Sequence, residues 1–221
     1  MCHFKSAIVM QDGRVLHSEF TDSHEDLIAL YGIDDKRRSA EITKFVRVKF
    51  YPTNLIDLAE PEKYVLRLDE NQAPAWWDDE RKEAAAGELK AIIERMIVDD
   101  NREILVGGSY ILTKNASVKR IVHCLIPVMF GKVGVMRKSS NIGEMLGSSN
   151  IGEMLGSSNV GVMRESSNIG EMWGSSKVGV MRESSNISVM RGSSNVSVMR
   201  ESSNISVMRE SSNVGEMRES L

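Results

Sequence analysis

The chain has 221 residues, 41% hydrophobic but only 5% aromatic, with fourteen methionines and a formal net charge of −3. That is enough apolar material for one or two domains with a core, and there is no basic excess to draw the chain to nucleic acid or an anionic membrane. No apolar run is long enough to span a bilayer, and Met1-Cys2-His3-Phe4-Lys5 lacks the apolar stretch of a signal peptide, so a cytoplasmic setting is expected.

In chain order, Lys5 to Met10 reads as a strand, Asp12-Gly13 as a turn and Val15 to His17 as a second strand. Ser23, ahead of His24-Glu25-Asp26 and the apolar Leu27, Ile28 and Leu30, marks a capped helix that Gly32 ends. Phe45-Val-Arg-Val-Lys-Phe50 and Tyr64-Val-Leu-Arg-Leu68 alternate as half-buried strands. After Pro74-Ala75-Trp76-Trp77 and the acidic Asp78-Asp79-Glu80, the spacing of Ala84, Leu89, Ile92, Ile93, Met96 and Ile97 predicts an amphipathic helix reaching about Val98. Residues 1–103 therefore predict a small α+β domain with an antiparallel sheet.

Residues 104–129 are intermediate. Asn115-Ala-Ser-Val118-Lys-Arg-Ile121-Val-His123 fits the repeat that follows, Pro127 then breaks it, and the stretch is expected to be a transition that caps a solenoid. Residues 130–221 carry a period of nine. After a degenerate unit, FGKVGVMRK from Phe130, come SSNIGEMLG twice, SSNVGVMRE, SSNIGEMWG, SSKVGVMRE, SSNISVMRG, SSNVSVMRE, SSNISVMRE and SSNVGEMRE.

The copies show which positions a core constrains. Position four is always Ile or Val and position seven is always Met, so both are expected inside. Position six varies between Val and Glu and position eight among Leu, Trp and Arg, a freedom that places them toward solvent. The Ser, Asn, Gly and β-branched content argues against helix, and a short strand bent near position five brings four and seven to one face. From Ile151 onward, position four alternates Ile and Val without exception. Two units per coil explain this: eighteen residues close one turn, Ile stacks in one sheet and Val in the other. A duplication of eighteen residues in the gene would leave the same trace and is compatible with that fold. The prediction is a parallel β-solenoid (β-helix) with two facing sheets. Its five coils of repeats would extend about 24 Å at roughly 4.8 Å each.

Ser-Ser-Asn is expected at the corners, where Asn tolerates a left-handed backbone and can form an amide ladder with the copy one coil away. Lys132 and Lys177 replace that Asn and should weaken their corners. The outward arginines of position eight form columns, and the position-nine glutamates are expected to offset their repulsion.

Candidate chemistry is sparse, with no glycine-rich phosphate loop, no hydrolase or zinc motif and no CxxC, so neither an enzyme nor a bound cofactor or metal is expected. Cys2 and Cys124 lie in different parts of the chain and read as free thiols. His17 and His24 near Asp22, Glu25 and Asp26 could be drawn as a metal cluster, but a surface histidine at a helix start explains them more simply. Trp76-Trp77 could be a carbohydrate or cation platform, against the simpler reading of one Trp packed at the helix start. A calcium β-roll would need an Asp in every unit, and Glu occupies position six in only four of ten. The candidate interaction surface is therefore Trp76, Trp77, Trp173 and the column Arg164, Arg182, Arg200 and Arg218.

The opening MCHFKSAIV, the segments Ser23-His24-Glu25-Asp26-Leu27, Phe45-Val46-Arg47-Val48 and Pro74-Ala75-Trp76-Trp77, and the nonapeptide array together resemble a group of uncharacterised proteins of bacteria and their phages. The resemblance implies the two-part layout and a bacterial or phage cytosolic setting, and carries over no catalytic residue. The expectation is a structural or interaction protein, homo-oligomeric through the solenoid end, since the array runs to Glu219-Ser220-Leu221 without a polar cap. A protein partner fits that reading, and a nucleic-acid mimic does not, because the array carries ten basic and nine acidic residues. The alternative is a small ligand-binding or enzymatic N-terminal domain with the solenoid as spacer.

Overall fold

A computed structural model of the chain describes residues 5–18, 21–35, 44–54 and 57–218. The expectations for Cys2 and for the last three residues lie outside them. The chain divides into two compact units, residues 1–96 and 97–221.

The first unit is α+β. Strands β1 (Lys5–Met10), β2 (Val15–Leu16), β3 (Phe45–Pro52) and β4 (Tyr64–Leu68) form one antiparallel sheet in the order β2-β1-β3-β4. Helix α1 (His24–Leu30) starts where Ser23 Oγ accepts the Asp26 amide at 3.2 Å, and Gly32 at φ +61 ends it, as the sequence predicts. Helix α2 (Asp79–Met96) buries Ala85, Leu89, Ile92 and Ile93. Ala85, four residues before Leu89, takes the inward place expected for Ala84, which is exposed. The helix stops at Met96, short of Val98, because Ile97 already belongs to a strand.

The second unit is a parallel β-solenoid. Its irregular strands are β5 (Ile97–Val98), β6 (Asn101–Val106), β7 (Ile111–Leu112), β8 (Ser117–Val122) and β9 (Leu125–Met129). The repeats supply β10 (Lys132–Arg137), β11 (Asn141–Met145), β12 (Asn150–Met154), β13 (Asn159–Met163) and β14 (Asn168–Met172). They continue with β15 (Lys177–Met181), β16 (Asn186–Met190), β17 (Asn195–Arg200), β18 (Asn204–Met208) and β19 (Asn213–Arg218). Even-numbered strands from β6 form a seven-stranded sheet and odd-numbered strands from β5 an eight-stranded one, about seven coils.

The coil is eighteen residues: Ile151 pairs with Ile169 and Val160 with Val178. Ile151, Ile169, Ile187 and Ile205 stack in the seven-stranded sheet, and Val160, Val178, Val196 and Val214 in the other. In every repeat coil positions three, four, six and seven pair and position five does not, which is the bend that lets four and seven both face inward. Ile or Val of position four and Met of position seven are fully buried from Val160 to Met190, each contributing on the order of 1.5–3 kcal/mol.

Three features differ from the sequence expectation. The two sheets begin at Ile97, so residues 101–129 are strands of the solenoid itself and not a separate transition. The nine-residue period is hidden there by short corners. Ser117 pairs with Lys132 and Leu125 with Asn141, offsets of fifteen and sixteen residues. Pro127 does not break the pattern, for it stands inside β9 at the position-five bend, where no ladder pairing is made and a missing N–H costs nothing.

At the corners, Asn is not the left-handed residue. Position nine is, at φ from +57 to +60 for Lys138, Glu165, Glu183, Glu201 and Glu210 and +66 to +73 for Gly147, Gly156, Gly174 and Gly192. Asn instead begins each strand. The turn closes when the second serine donates its amide to the position-eight carbonyl, as from Ser167 to Arg164 at 3.2 Å. That second serine points inward: the seven from Ser140 to Ser194 are 0% exposed, a third core column beside Ile/Val and Met.

The asparagine ladder forms as expected. Asn186 Nδ2 donates to Asn168 Oδ1 at 3.2 Å, and Asn204 to Asn186 at 3.1 Å. In the other sheet Asn159 donates to Asn141 at 3.1 Å, and Lys177 then interrupts the column between Asn159 and Asn195. Lys177→Asn restores donors and acceptors between the half-buried Asn159 and Asn195. It should raise unfolding stability by about 1 kcal/mol in urea titrations, the net value of a hydrogen bond; an unchanged midpoint would show the ladder to be incidental.

Candidate interaction surface

The seven surface candidates lie in three places. Trp77 is 6% exposed and packs in the core of the first unit, its ring 6.0 Å from that of Trp76 and nearly perpendicular to it. Trp76 is half-buried, with the Arg81 guanidinium 5.9 Å from its ring and Arg81 Nε donating to its carbonyl at 3.0 Å. The pair is accounted for by packing at the start of α2. Trp173 lies on the outer face of the seven-stranded sheet, whereas Arg164, Arg182, Arg200 and Arg218 lie on the eight-stranded sheet.

The histidine cluster does not assemble. His24 is buried, not on the surface: Nε2 donates to the Val48 carbonyl at 3.0 Å and Nδ1 lies 3.2 Å from Asp69, tying α1 to the sheet. Lys49, 2.7 Å from Asp69, holds that carboxyl below its ordinary range. Among the described residues no group of three or more His, Cys, Asp or Glu is placed to hold a metal ion. A shallow hollow is lined by Lys49, Tyr51, Arg67, Leu68 and Asp69, without either tryptophan of the first unit. Cys124 is buried in the solenoid core and donates to the Leu105 carbonyl, and burial pushes its thiol up, away from reactivity.

The outer faces of the two sheets differ. On the seven-stranded sheet, position eight runs Arg137, Leu155, Trp173, Arg191, Arg209. Trp173 Nε1 donates to Glu171 at 2.8 Å, and the Arg191 guanidinium stacks 4.5 Å above the Trp173 ring, 4.0 Å from Glu171. That column is broken by Leu155 and Trp173.

On the eight-stranded sheet, Leu146 is followed by Arg164, Arg182, Arg200 and Arg218 in register. The expected pairing of these arginines with the position-nine glutamates is not what forms. Glu183 Oε2 accepts the Glu165 backbone amide and Glu201 Oε2 that of Glu183, each at 2.8 Å, and Glu210 does the same for Gly192 across the other corner. An unpaired corner N–H competes for the carboxylate and wins. Arginine meets position six instead: Arg164 lies 3.6 Å from Glu144 and Arg218 2.7 Å from Glu216.

Between these ends position six is Val162, Val180 and Val198, and the arginine stems lie along the sheet with the Nε atoms of Arg164, Arg182 and Arg200 buried. Both positions are therefore half-buried through the middle coils, not fully solvent-facing, and in the first full coil Glu144 and Leu146 are buried.

The two ends of the stack also differ. Strand β6 opens with Asn101-Arg102-Glu103, and its charges pair, Arg102 with Asp100 at 2.7 Å and Glu103 with Lys119 at 2.6 Å. At the other end, β18 and β19 are edge strands of their sheets, with Val207, Met208 and Met217 at 37%, 42% and 72% exposure. Among the described residues no helix is long and apolar enough to cross a membrane. Comparison with protein-family models, curated proteins and solved structures gives no match to this chain.

Proposed function

We propose that this chain is a structural or interaction protein, a rigid solenoid that pairs with a second copy through its outermost coil. The observation that carries the reading is the outermost coil, which leaves edge strands and exposed methionines together. Strands β18 and β19 offer backbone edges beside Ile205, Met208, Val214 and Met217, while β6 at the other end exposes Ile104 and Val106 beside its paired charges. An edge of this kind fits another β-stack. A self-complementary contact between two such coils about a two-fold axis closes as a dimer. The bacterial or phage cytosolic setting belongs to the proposal and is supported by the resemblance alone.

The test is light scattering behind size exclusion on the full chain, with Met208→Asp/Met217→Asp beside it. The wild type is expected to be a dimer and the variant a monomer with unchanged circular dichroism, since both side chains are exposed within one copy. A wild type that is monomeric at every concentration overturns the pairing.

A further inference from the structure

The middle of the arginine column on the eight-stranded sheet carries more charge than the fold pairs, for the carboxylate in the field of Arg200, Glu216, is bonded to Arg218. Arg164 and Arg218 meet Glu144 and Glu216. Among the described residues, Arg182 and Arg200 make no ion pair. The carboxylates nearest in sequence, Glu183 and Glu201, accept corner amides, and the position-six neighbours Val180 and Val198 carry no charge. In a parallel in-register stack the two arginines are one coil apart, about 4.8 Å. Their Nε atoms are buried against the sheet and have no partner, so the Nη edges are what the column presents.

We infer that Arg182 and Arg200, flanked by Arg164, form a binding site for a short run of linked phosphates, whose oxyanions bridge successive guanidiniums. The chemistry favours this ligand over two others. Single-stranded nucleic acid is held by stacking bases on aromatic rings as well as by charge, and the one tryptophan of the array, Trp173, is on the opposite sheet. An extended acidic peptide sets same-face carboxylates about 7 Å apart, too sparse for rungs about 4.8 Å apart. Linked phosphates carry closely spaced, flexible oxyanions that guanidinium edges bind by paired hydrogen bonds. The inference rests on reading the array as a displayed surface and is independent of end pairing.

The experiment is calorimetric titration of the full chain with sodium tripolyphosphate, at ionic strength held constant with sodium chloride. Wild type is expected to show saturable binding. Arg182→Gln and Arg200→Gln should each weaken it roughly tenfold, the loss of one charge-assisted contact. Arg191→Gln, on the other sheet beside Trp173, should bind as wild type. A single-stranded oligonucleotide and a poly-glutamate peptide form the comparison arms. Heat that vanishes at matched ionic strength, an unaffected Arg182→Gln/Arg200→Gln double variant, or tighter binding of either comparison polymer overturns the assignment. Light scattering on the wild type separates the two proposals: a wild-type dimer that does not bind phosphate sinks this inference alone, and phosphate binding by a wild-type monomer sinks only the pairing.

Discussion

Ser176→Asp is expected to cost the solenoid about 3–5 kcal/mol, the penalty for an uncompensated buried charge. Ser175→Asp, one residue earlier, should change stability by less than about 0.5 kcal/mol. Ser175 is exposed at the tip of its turn, whereas Ser176 is 0% exposed, with its hydroxyl in the inner column between Ser158 and Ser194. Nothing at that depth offers an aspartate a cation or a row of amides, and the coils above and below stack directly on the site. Urea unfolding followed by far-ultraviolet circular dichroism reads both variants. Equal midpoints would mean that the second serine is not a core position.

The second large effect separates two methionines in near-identical local sequence. Met172 sits at position seven of a central coil at 0% exposure, and Met217 at the same position of the outermost coil at 72%. Met172→Ala leaves a cavity walled by Met154 and Met190, its stack neighbours, and should cost about 2–5 kcal/mol. Met217→Ala added to Met208→Asp, compared with Met208→Asp alone at a concentration where light scattering finds both monomeric, should cost less than about 0.5 kcal/mol. The same measurement applies, and a large loss from Met217→Ala in that background would show that the last coil is covered within one copy.

Much of the solenoid was readable because ten copies of one unit act as their own alignment. Position four never accepts anything but Ile or Val, position seven nothing but Met, and the alternation of Ile with Val identified the eighteen-residue coil. The sheets sort these residues as expected. What repetition could not reveal is anything that treats neighbouring identical residues differently. The two serines of each unit look alike in every copy, yet the turn exposes the first and buries the second. Nor did the period reach back to Ile97, because shortened corners shift the register without changing the inward residues Val118, Ile121 and Ile126.

The candidate surface was less legible, for a physical reason. Along the chain Arg182 and Glu183 are adjacent and invite pairing, but in a stack the nearest groups belong to residues about eighteen apart. The glutamate is drawn to an unpaired amide one coil back, and the arginine is left beside valines. Grouping Trp173 with the arginines followed residue type alone, and the two sheets separate them, while Trp76 and Trp77 belong to the first unit. In the first unit the capped helix and the strands were plain from Ser23 and from alternation, while the burial of His24 required knowing that Val48 and Asp69 would meet it.

The eighteen-residue coil also makes length a quantity that changes in fixed steps. Gain or loss of eighteen residues inside the array keeps Ile over Ile and Val over Val, and lengthens or shortens the stack by one rung of about 4.8 Å. A change of nine between Arg182 and Arg200 sends every later strand to the opposite sheet, moving Arg200 and Arg218 onto the face that carries Trp173, bringing Arg209 onto the face of Arg182, and setting Val over Ile at the junction. The array is thus a ruler graduated in whole coils: variants that differ by whole coils keep the same two faces, and those that differ by half a coil exchange them.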